Sequence, residues 1–343
     1  MAHTHRMKEV ALQAGVSLAT VDRVLHGRAG VRVSTRVRVQ QALKELDQQQ
    51  QQLGRQGRRL LLDLVMETPS RFSGLVVNAL QAAAGQVQPA VIRVREHLAE
   101  TWPVDGLVER LDAIARRGSH GVLLKAPTLP ETIGAIGRLQ ARGIPVVTLV
   151  TDVMPSARCA HVGLDNAAAG RTAAYLMSQW MGEAPQQVLV TSSGAFFQGE
   201  DERIRAFTTS LAQWRPDWQV QVEHDGQGLP ASTYRAVSRV LARTPGLAAV
   251  YSVGGANLAV ARAFDDAGER CQVFIGHDLD ADNLGMLRRR QLSAVLHHDL
   301  RLDLRAACLQ FMQAQGVRVS APRPTLSRPE VITPYNLPDE DPA

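Results

Sequence analysis

Cysteine is scarce in this chain. Cys159, Cys271 and Cys308 are the only three thiols in 343 residues, odd in number, far apart and set in apolar stretches. Such usage argues against a disulfide-stapled secreted scaffold and is what reduced core residues of a cytoplasmic protein look like. Residues 1–20 carry polar and charged side chains throughout, with no apolar run of the kind a signal peptide needs. No stretch approaches the ~20 apolar residues of a membrane span, so a cytoplasmic location without membrane partners is expected. Chemical signatures are equally sparse. The turn Ser252–Asn257 (SVGGAN) lacks G-x-G-x-x-G, and G-x-S-x-G is absent. His297, His298 and Asp299 are consecutive, and neighbours on a strand point to opposite faces, so they cannot easily share one metal ion. No catalytic residue, metal or cofactor is therefore assigned, and an enzyme is the weaker alternative.

Charge is present but unevenly placed. Residues 1–59 hold eleven Lys or Arg against four Asp or Glu, while the remainder is slightly acidic. A basic end module on a nearly neutral body fits attraction to a phosphate backbone. The same segment has a helical pattern. Met7, Val10, Ala11 and Ala14 share one face of a first helix, Gly15 permits a tight turn, and Ser17 can cap a second helix starting at Leu18. That second helix would bury Val21, Val24 and Leu25. Ser17, Leu18, Ala19, Asp22, Arg23 and His26 are then left for a partner. Periodicity alone is equally compatible with an ordinary helical hairpin or with a helix-turn-helix, whose second helix enters the DNA major groove. A third helix is expected over residues 34–46, capped by Ser34. Arg28, Arg32, Arg36 and Arg38 flank it, where they would meet phosphates.

The run from Ala14 to Leu46 resembles the N-terminal headpiece of the lactose-repressor (LacI) family of bacterial regulators. The matching positions are Val10, Ala11, Ala14 to Ser17, Thr20, Val21, Arg23 to Leu25, Gly27, Val31, Thr35, Arg36, Arg38, Val39, Ala42 and Leu46. The resemblance implies a double-stranded DNA operator as partner and a homodimer, each recognition helix taking one half-site. Ser17, Leu18, Ala19, Thr20, Asp22, Arg23, His26 and Arg28 are the expected DNA-binding residues. Leu18 and Ala19 can make only apolar contacts, so Arg23 carries most polar readout. In the family a hinge helix comes next and pushes a leucine into the minor groove. Here its usual Tyr-x-Pro-Asn entry is replaced by Gln48 to Gln51, the leucine position holds Gly57, and Leu53 is the wedge that remains.

The expected organisation is a small all-α helix-turn-helix headpiece over residues 1–46, a linker or hinge over 47–59, a two-lobed ligand-binding and dimerisation domain over 60–335, and a disordered tail over 336–343. From Leu60 onward short apolar strands at 60–66, 90–96, 121–126 and 144–150 alternate with amphipathic helices, and the alternation resumes after residue 160. Such a pattern means βαβ units and parallel sheets. Two successive α/β halves resemble the periplasmic-binding-protein fold, with residues 290–335 expected to return a strand or crossover to the first lobe. No heptad repeat is visible at the C-terminus, which favours a dimer over a tetramer.

Parallel sheets bind ligands at the carboxyl ends of their strands. The residues just past the strand ends and at the starts of the next helices supply the candidates Arg71, Phe72, Asp152, Asp165, Arg203, Asn257, Asp278 and His298. The family resemblance adds that Asp165, Arg203 and Asp278 match positions that hydrogen-bond sugar hydroxyls. Where the family presents an asparagine, Gly254 and Gly255 stand here, with Asn257 the nearest amide. The expectation is a ligand-responsive regulator, a repressor of carbohydrate or polyol catabolic genes relieved by a small sugar or polyol. Its alternatives are a corepressor-dependent regulator sensing a nucleobase or other metabolite, and a cytoplasmic sugar-binding protein.

Overall fold

A computed structural model describes residues 7–53, 58–184, 186–194, 196–320 and 326–338, with side chains described outside 47–53. The chain divides into a unit made chiefly of residues 1–59 and a larger unit holding nearly all the rest.

The smaller unit contains three helices, α1 (Met7–Ala14), α2 (Leu18–Leu25) and α3 (Val33–Leu53). Val10, Ala11, Ala14, Val21, Val39 and Ala42 make its core, with Val24, Leu25, Leu43 and Leu46 packed half-buried against it. Met7, expected on the inner face, is 44% exposed. Gly15 turns the chain at φ +60°, in the left-handed region where a side chain is costly. Arg38 donates to the Ala14 and Gly15 carbonyls at 2.9 Å each, so it ties down this turn rather than standing free for phosphate. Ser17 caps α2 by accepting from the Thr20 amide.

Two expectations fail on α3. Its first turn closes on the Arg32 carbonyl, which places Ser34 inside the helix instead of at its cap. The helix also runs on to Leu53 instead of ending at residue 46. Glutamines sustain a helix well and no proline or glycine interrupts before Gly54, so composition that reads as linker continues as helix. The Leu53 side chain and Gly57, and with them the minor-groove wedge, lie outside the described residues.

The larger unit is two α/β lobes. In the first, β1 (Arg59–Glu67), β2 (Val91–Ala99), β3 (Gly121–Lys125), β4 (Val146–Leu149) and β5 (Ala160–Val162) form one sheet in the order β2-β1-β3-β4-β5. The β1–β3, β3–β4 and β4–β5 pairs are parallel. Helices α5 (Val104–Arg117) and α6 (Pro130–Ala141) bury Leu107, Leu111, Ile114, Ile136 and Leu139 against it, and α4 is Ser70–Gln86. Asp63, fully buried in β1, is held by Arg95 at 2.6 Å, His97 at 2.8 Å and Arg117 at 2.8 Å.

The second lobe holds β6 (Gln187–Thr191), β7 (Gln219–Glu223), β8 (Leu247–Ser252), β9 (Val273–His277), β10 (Ala294–His297) and β11 (Glu330–Ile332), ordered β11-β10-β9-β8-β6-β7. All its pairings are parallel except β10–β11. Strands β8 and β9 are buried along their whole length, as parallel strands covered on both faces must be. Helices α7 (Asn166–Trp180) and α8 (Gln198–Trp214) cover one face. The other is covered by α9 (Pro230–Arg243), α10 (Asn257–Ala267) and α11 (Ala281–Arg288).

The chain crosses between lobes three times. It leaves the first lobe after β5, returns with α12 (Leu300–Ala314), which packs on α4, β4 and β5, and goes back as β11. Residues 290–335 therefore return a helix to the first lobe, while both their strands stay in the second. Asn336 donates to the Val331 carbonyl and Leu337 packs on the second-lobe core, so order continues past the expected tail boundary; residues 339–343 lie outside the described residues. Cys308 is buried and Cys271 half-buried, and burial pushes both thiols up to about 12; Cys159 is exposed, against its expected place in the core. No helix among the described residues is long and apolar enough to cross a membrane.

Candidate functional site

A cavity of about 660 Å³ opens between the two lobes, at the carboxyl ends of both sheets. Residues just past β1, β4, β6, β8 and β9 reach it: Thr68, Thr151, Ser193, Gly254 and Asp278. This is where dipoles and loop ends of parallel strands converge, and the edge was predictable from strand order alone.

Of the eight predicted ligand residues, four line the cavity: Arg71, Phe72, Arg203 and Asp278. Arg71 comes from the first turn of α4 and reaches across to the second lobe. It donates to the Gly228 carbonyl at 2.7 Å and the Gly254 carbonyl at 3.3 Å, and pairs with Asp280 at 3.3 Å. Gly255 makes room for it, since a Cβ there would sit 2.2 Å from Arg71 Nη2. Arg203, on α8, is 5% exposed, and its Nε donates to Asn166 Oδ1 at 2.7 Å. Asp278 occupies a left-handed turn at φ +66° after β9.

The other four do not reach the cavity, each because a local partner claims it. Asp152 is bound by Arg158, Thr148 and the Val153 amide. Asp165 caps α7, accepting from the Ala168 amide at 2.8 Å. Asn257 starts α10 and donates to Asn283 at 2.8 Å, away from the cavity. His298 is buried against Asp303 at 2.7 Å, where the chain passes between lobes.

Several cavity groups lie outside the sequence-based candidates. Lys125 ends β3, buried, with its ammonium donating to the Glu67 carbonyl at 3.1 Å and lying 4.2 Å from the centre of the Phe197 ring. Burial pulls its pKa down to about 8, the charges of Glu200, Glu67 and Asp278 opposing the shift and that of Arg203 adding to it. Glu200 accepts from the Ser193 amide at 2.8 Å and from its hydroxyl. Burial raises the Glu67 carboxyl, partly offset by the Trp102 amide and by Lys125. His277 shares a 2.9 Å bond with Tyr251 through Nε2, and its Nδ1 has no partner among the described residues. Burial, then the charges of Arg203 and His298, keeps this ring neutral. Both Lys125 and His277 close strongly apolar strands, the signal that identified the edge. No cluster of three His, Cys, Asp or Glu side chains suited to a metal occurs among the described residues.

In the headpiece, the predicted DNA residues Ser17, Leu18 and Ala19 lie at the start of α2, Leu18 and Ala19 exposed and Ser17 capping the helix, with Thr20 half-buried. Arg23 has no side-chain partner among the described residues. Asp22 is engaged by Arg28 at 3.0 Å and His26 at 2.9 Å. These three residues thus form one internal network, and Arg28 is not a free cation.

Two lobes closing over a polar cavity define a binding protein of the periplasmic type, here carrying a three-helix module. Similarity to known proteins agrees with this. Residues 64–314 match the periplasmic binding protein domain family, and residues 6–49 match the bacterial regulatory proteins of the lacI family. The chain belongs to the periplasmic binding protein domain family, and its N-terminal helical module is similar to the bacterial regulatory proteins of the lacI family. It is 33% identical over 150 residues to the HTH-type transcriptional regulator MalR of Streptomyces coelicolor, a match spanning 42% of each chain. It shares the fold of the glucose-galactose binding protein GanP of Geobacillus stearothermophilus, with a TM-score of 0.72 at 20% identity over 82% of this chain and all of that one. A solute binding protein from Agrobacterium vitis, bound with α-D-tagatopyranose, has a TM-score of 0.71 at 17% identity, covering 82% and 96% of the two chains.

Proposed function

We propose that this protein is a ligand-responsive DNA-binding transcriptional regulator, a repressor of carbohydrate or polyol catabolic genes. The observation that carries the reading is the pairing, on one chain, of two features. One is a recognition helix whose first residues are exposed; the other is an interlobe cavity lined by hydrogen-bonding side chains. The headpiece binds a pseudopalindromic operator as a homodimer, with half-site centres roughly one helical turn (~10 bp) apart. A small polyhydroxylated effector bridges the lobes through groups such as Arg203 and Asp278, and shifts the equilibrium only by its differential affinity for the two lobe arrangements. Regulation by binding, without catalysis, is in keeping with the family. Similarity to a regulator and to sugar-binding proteins supports the assignment of effector class.

The test is selection of operator sequences from random duplex DNA with the full chain, followed by fluorescence anisotropy on the selected site with candidate effectors. A two-half-site consensus whose affinity falls with a sugar or polyol is the expected outcome. Absence of any selected sequence would refute the reading.

A further inference from the structure

Two buried cations line this cavity without an ion-pair partner. Lys125 comes from the first lobe and Arg203 from the second, and no carboxylate among the described residues lies within ion-pair distance of either. Lys125 is satisfied only by the Glu67 backbone carbonyl and the Phe197 ring, and Arg203 only by a neutral amide oxygen of Asn166. Nearby acids are otherwise employed. Both oxygens of Glu200 accept from Ser193 and Asp280 pairs with Arg71, while Glu67 and Asp278 act on Lys125 only from beyond ion-pair distance. Buried charges are normally paired because desolvation of a lone ion is costly. A neutral sugar could hydrogen-bond to these groups but would leave both charges uncompensated.

We propose that the effector carries an anionic group, a carboxylate or a phosphate, that seats between Lys125 and Arg203. This inference rests on the cavity being the effector site. The ligand's hydroxyls meet Asp278, an acceptor, and His277, whose Nδ1 has no partner among the described residues. Sugar acids and sugar phosphates have this combination of one charged end and several hydroxyls. Because the two cations sit on different lobes, the anion itself draws the lobes together. Binding and closure are then a single event, which gives the ligand its differential affinity for the closed form.

A pH dependence results. The charged groups facing Lys125 are Glu67 from β1, Glu200 and Arg203 from α8, and Asp278 after β9, with the neutral His277 beside them. As pH rises through about 8, Lys125 loses its proton and its attraction for an anion.

The experiment is a thermal-shift screen of the full-length protein, followed by calorimetric titration of the hits. One arm contains neutral aldoses and polyols, a second the corresponding aldonates and uronates, and a third the sugar phosphates. Sodium acetate and inorganic phosphate serve as fragments, against chloride at matched ionic strength. Only anionic compounds should raise the melting temperature, and the responding arm tells carboxylate from phosphate. Affinity for the hit should fall between pH 7 and pH 9. In Lys125→Met the ligand-free melting temperature should hold or rise, since a lone buried charge is gone, while Kd for the anion rises about 30-fold or more.

A neutral sugar that binds as well as its acid overturns the proposal, as does failure of every anion, fragments included, to shift the melt. So does an affinity that is flat from pH 7 to pH 9 in the unaltered protein, a result independent of how any variant folds. A neutral sugar that releases operator removes the anion while leaving the regulator intact. Operator binding that responds to no ligand removes the regulator reading itself.

Discussion

Replacing Arg71 with alanine removes the one side chain seen to tie the cavity rim of the first lobe to three points on the second. Its 2.7 Å bond to the Gly228 carbonyl is short and charge-assisted, whereas the contacts to Gly254 and Asp280 are each 3.3 Å. A hydrogen bond to a charged group contributes about 1.5–3 kcal/mol. Counting the first fully and the longer two weakly, and allowing water to replace part of each once the lobes part, gives about 2–4 kcal/mol in favour of closure. That corresponds to a shift of about 30- to 1,000-fold in the open–closed equilibrium. Asp280, whose carboxyl is already raised by burial, would lose the cation that partly offsets that burial. Small-angle scattering or energy transfer between labels on the two lobes should show Arg71→Ala more open, and effector affinity should fall by up to the same factor, since only the closed fraction binds tightly. Gly255→Ala offers an independent route to the same state, because its Cβ would occupy the space taken by the guanidinium at 2.2 Å. If Arg71→Ala folds normally yet closes and binds like the parent, the bridge contributes nothing to closure and this reasoning fails.

In the headpiece, Arg23→Ala should weaken the cognate operator by ~1–3 kcal/mol and relax one base position; equal weakening on every sequence, in anisotropy titrations, would assign Arg23 to phosphate instead. Gly121→Ala would bring a Cβ within 2.2 Å of the Phe311 ring, joining β3 to α12 too tightly, and should cost about 1–3 kcal/mol in urea unfolding. Asp63→Asn should destabilise by about 3 kcal/mol at pH 7, leaving Arg95, His97 and Arg117 without their carboxylate. Burial alone would raise the Asp63 carboxyl, but hydrogen bonds from Arg95, Ser119 and His97 hold it below its usual value. Its stabilisation is therefore present above the unfolded carboxyl range near ~4 and lost as pH falls through the lower folded value, so Asp63→Asn should flatten acid unfolding on that limb.

The elements that could be read from sequence are those whose burial pattern is strong and local. Helix α5 falls, as an amphipathic helix should, between the apolar runs 90–96 and 121–126, and β3 ends one residue short of the second of these. Strand β5 is only three residues long and α11 only eight, too short for periodicity to register, and β11 pairs antiparallel at an edge where no apolar run marks it. Strand-end logic points to the edge where the cavity lies, but four of the eight residues it picks do not line it. Asp165 shows why: a residue that precedes a helix is a natural cap, and the Ala168 amide claims it. Asp152 and His298 are claimed by Arg158 and Asp303, six and five residues on, a choice that depends on how the intervening turn folds. Lys125 was legible in principle, as a cation ending an otherwise apolar strand, since such a residue must either reach water or find a partner in a cavity.

The crossings between lobes explain why the balance of closure falls on the cavity and its rim. All three crossing segments are fastened to one another. Ser327 exchanges backbone bonds of 2.8 Å with Gly163 and Asp165, and its hydroxyl donates to Asp303. Asp303 in turn holds His298 at 2.7 Å. A buried polar knot of this kind has no slack to take up, because breaking any member strands a desolvated polar group. Lobe motion therefore proceeds about the knot, with its contacts kept in both arrangements and contributing little to the difference between them. What does change on opening is the set of contacts farther out: those of Arg71 with the second lobe, the Thr128–Phe196 and Met154–Gln198 hydrogen bonds, the Lys125–Phe197 contact, and whatever Lys125 and Arg203 jointly hold. An effector shifts that balance by what it bridges between the lobes, and Lys125 and Arg203, on opposite lobes, are the cations it would bridge.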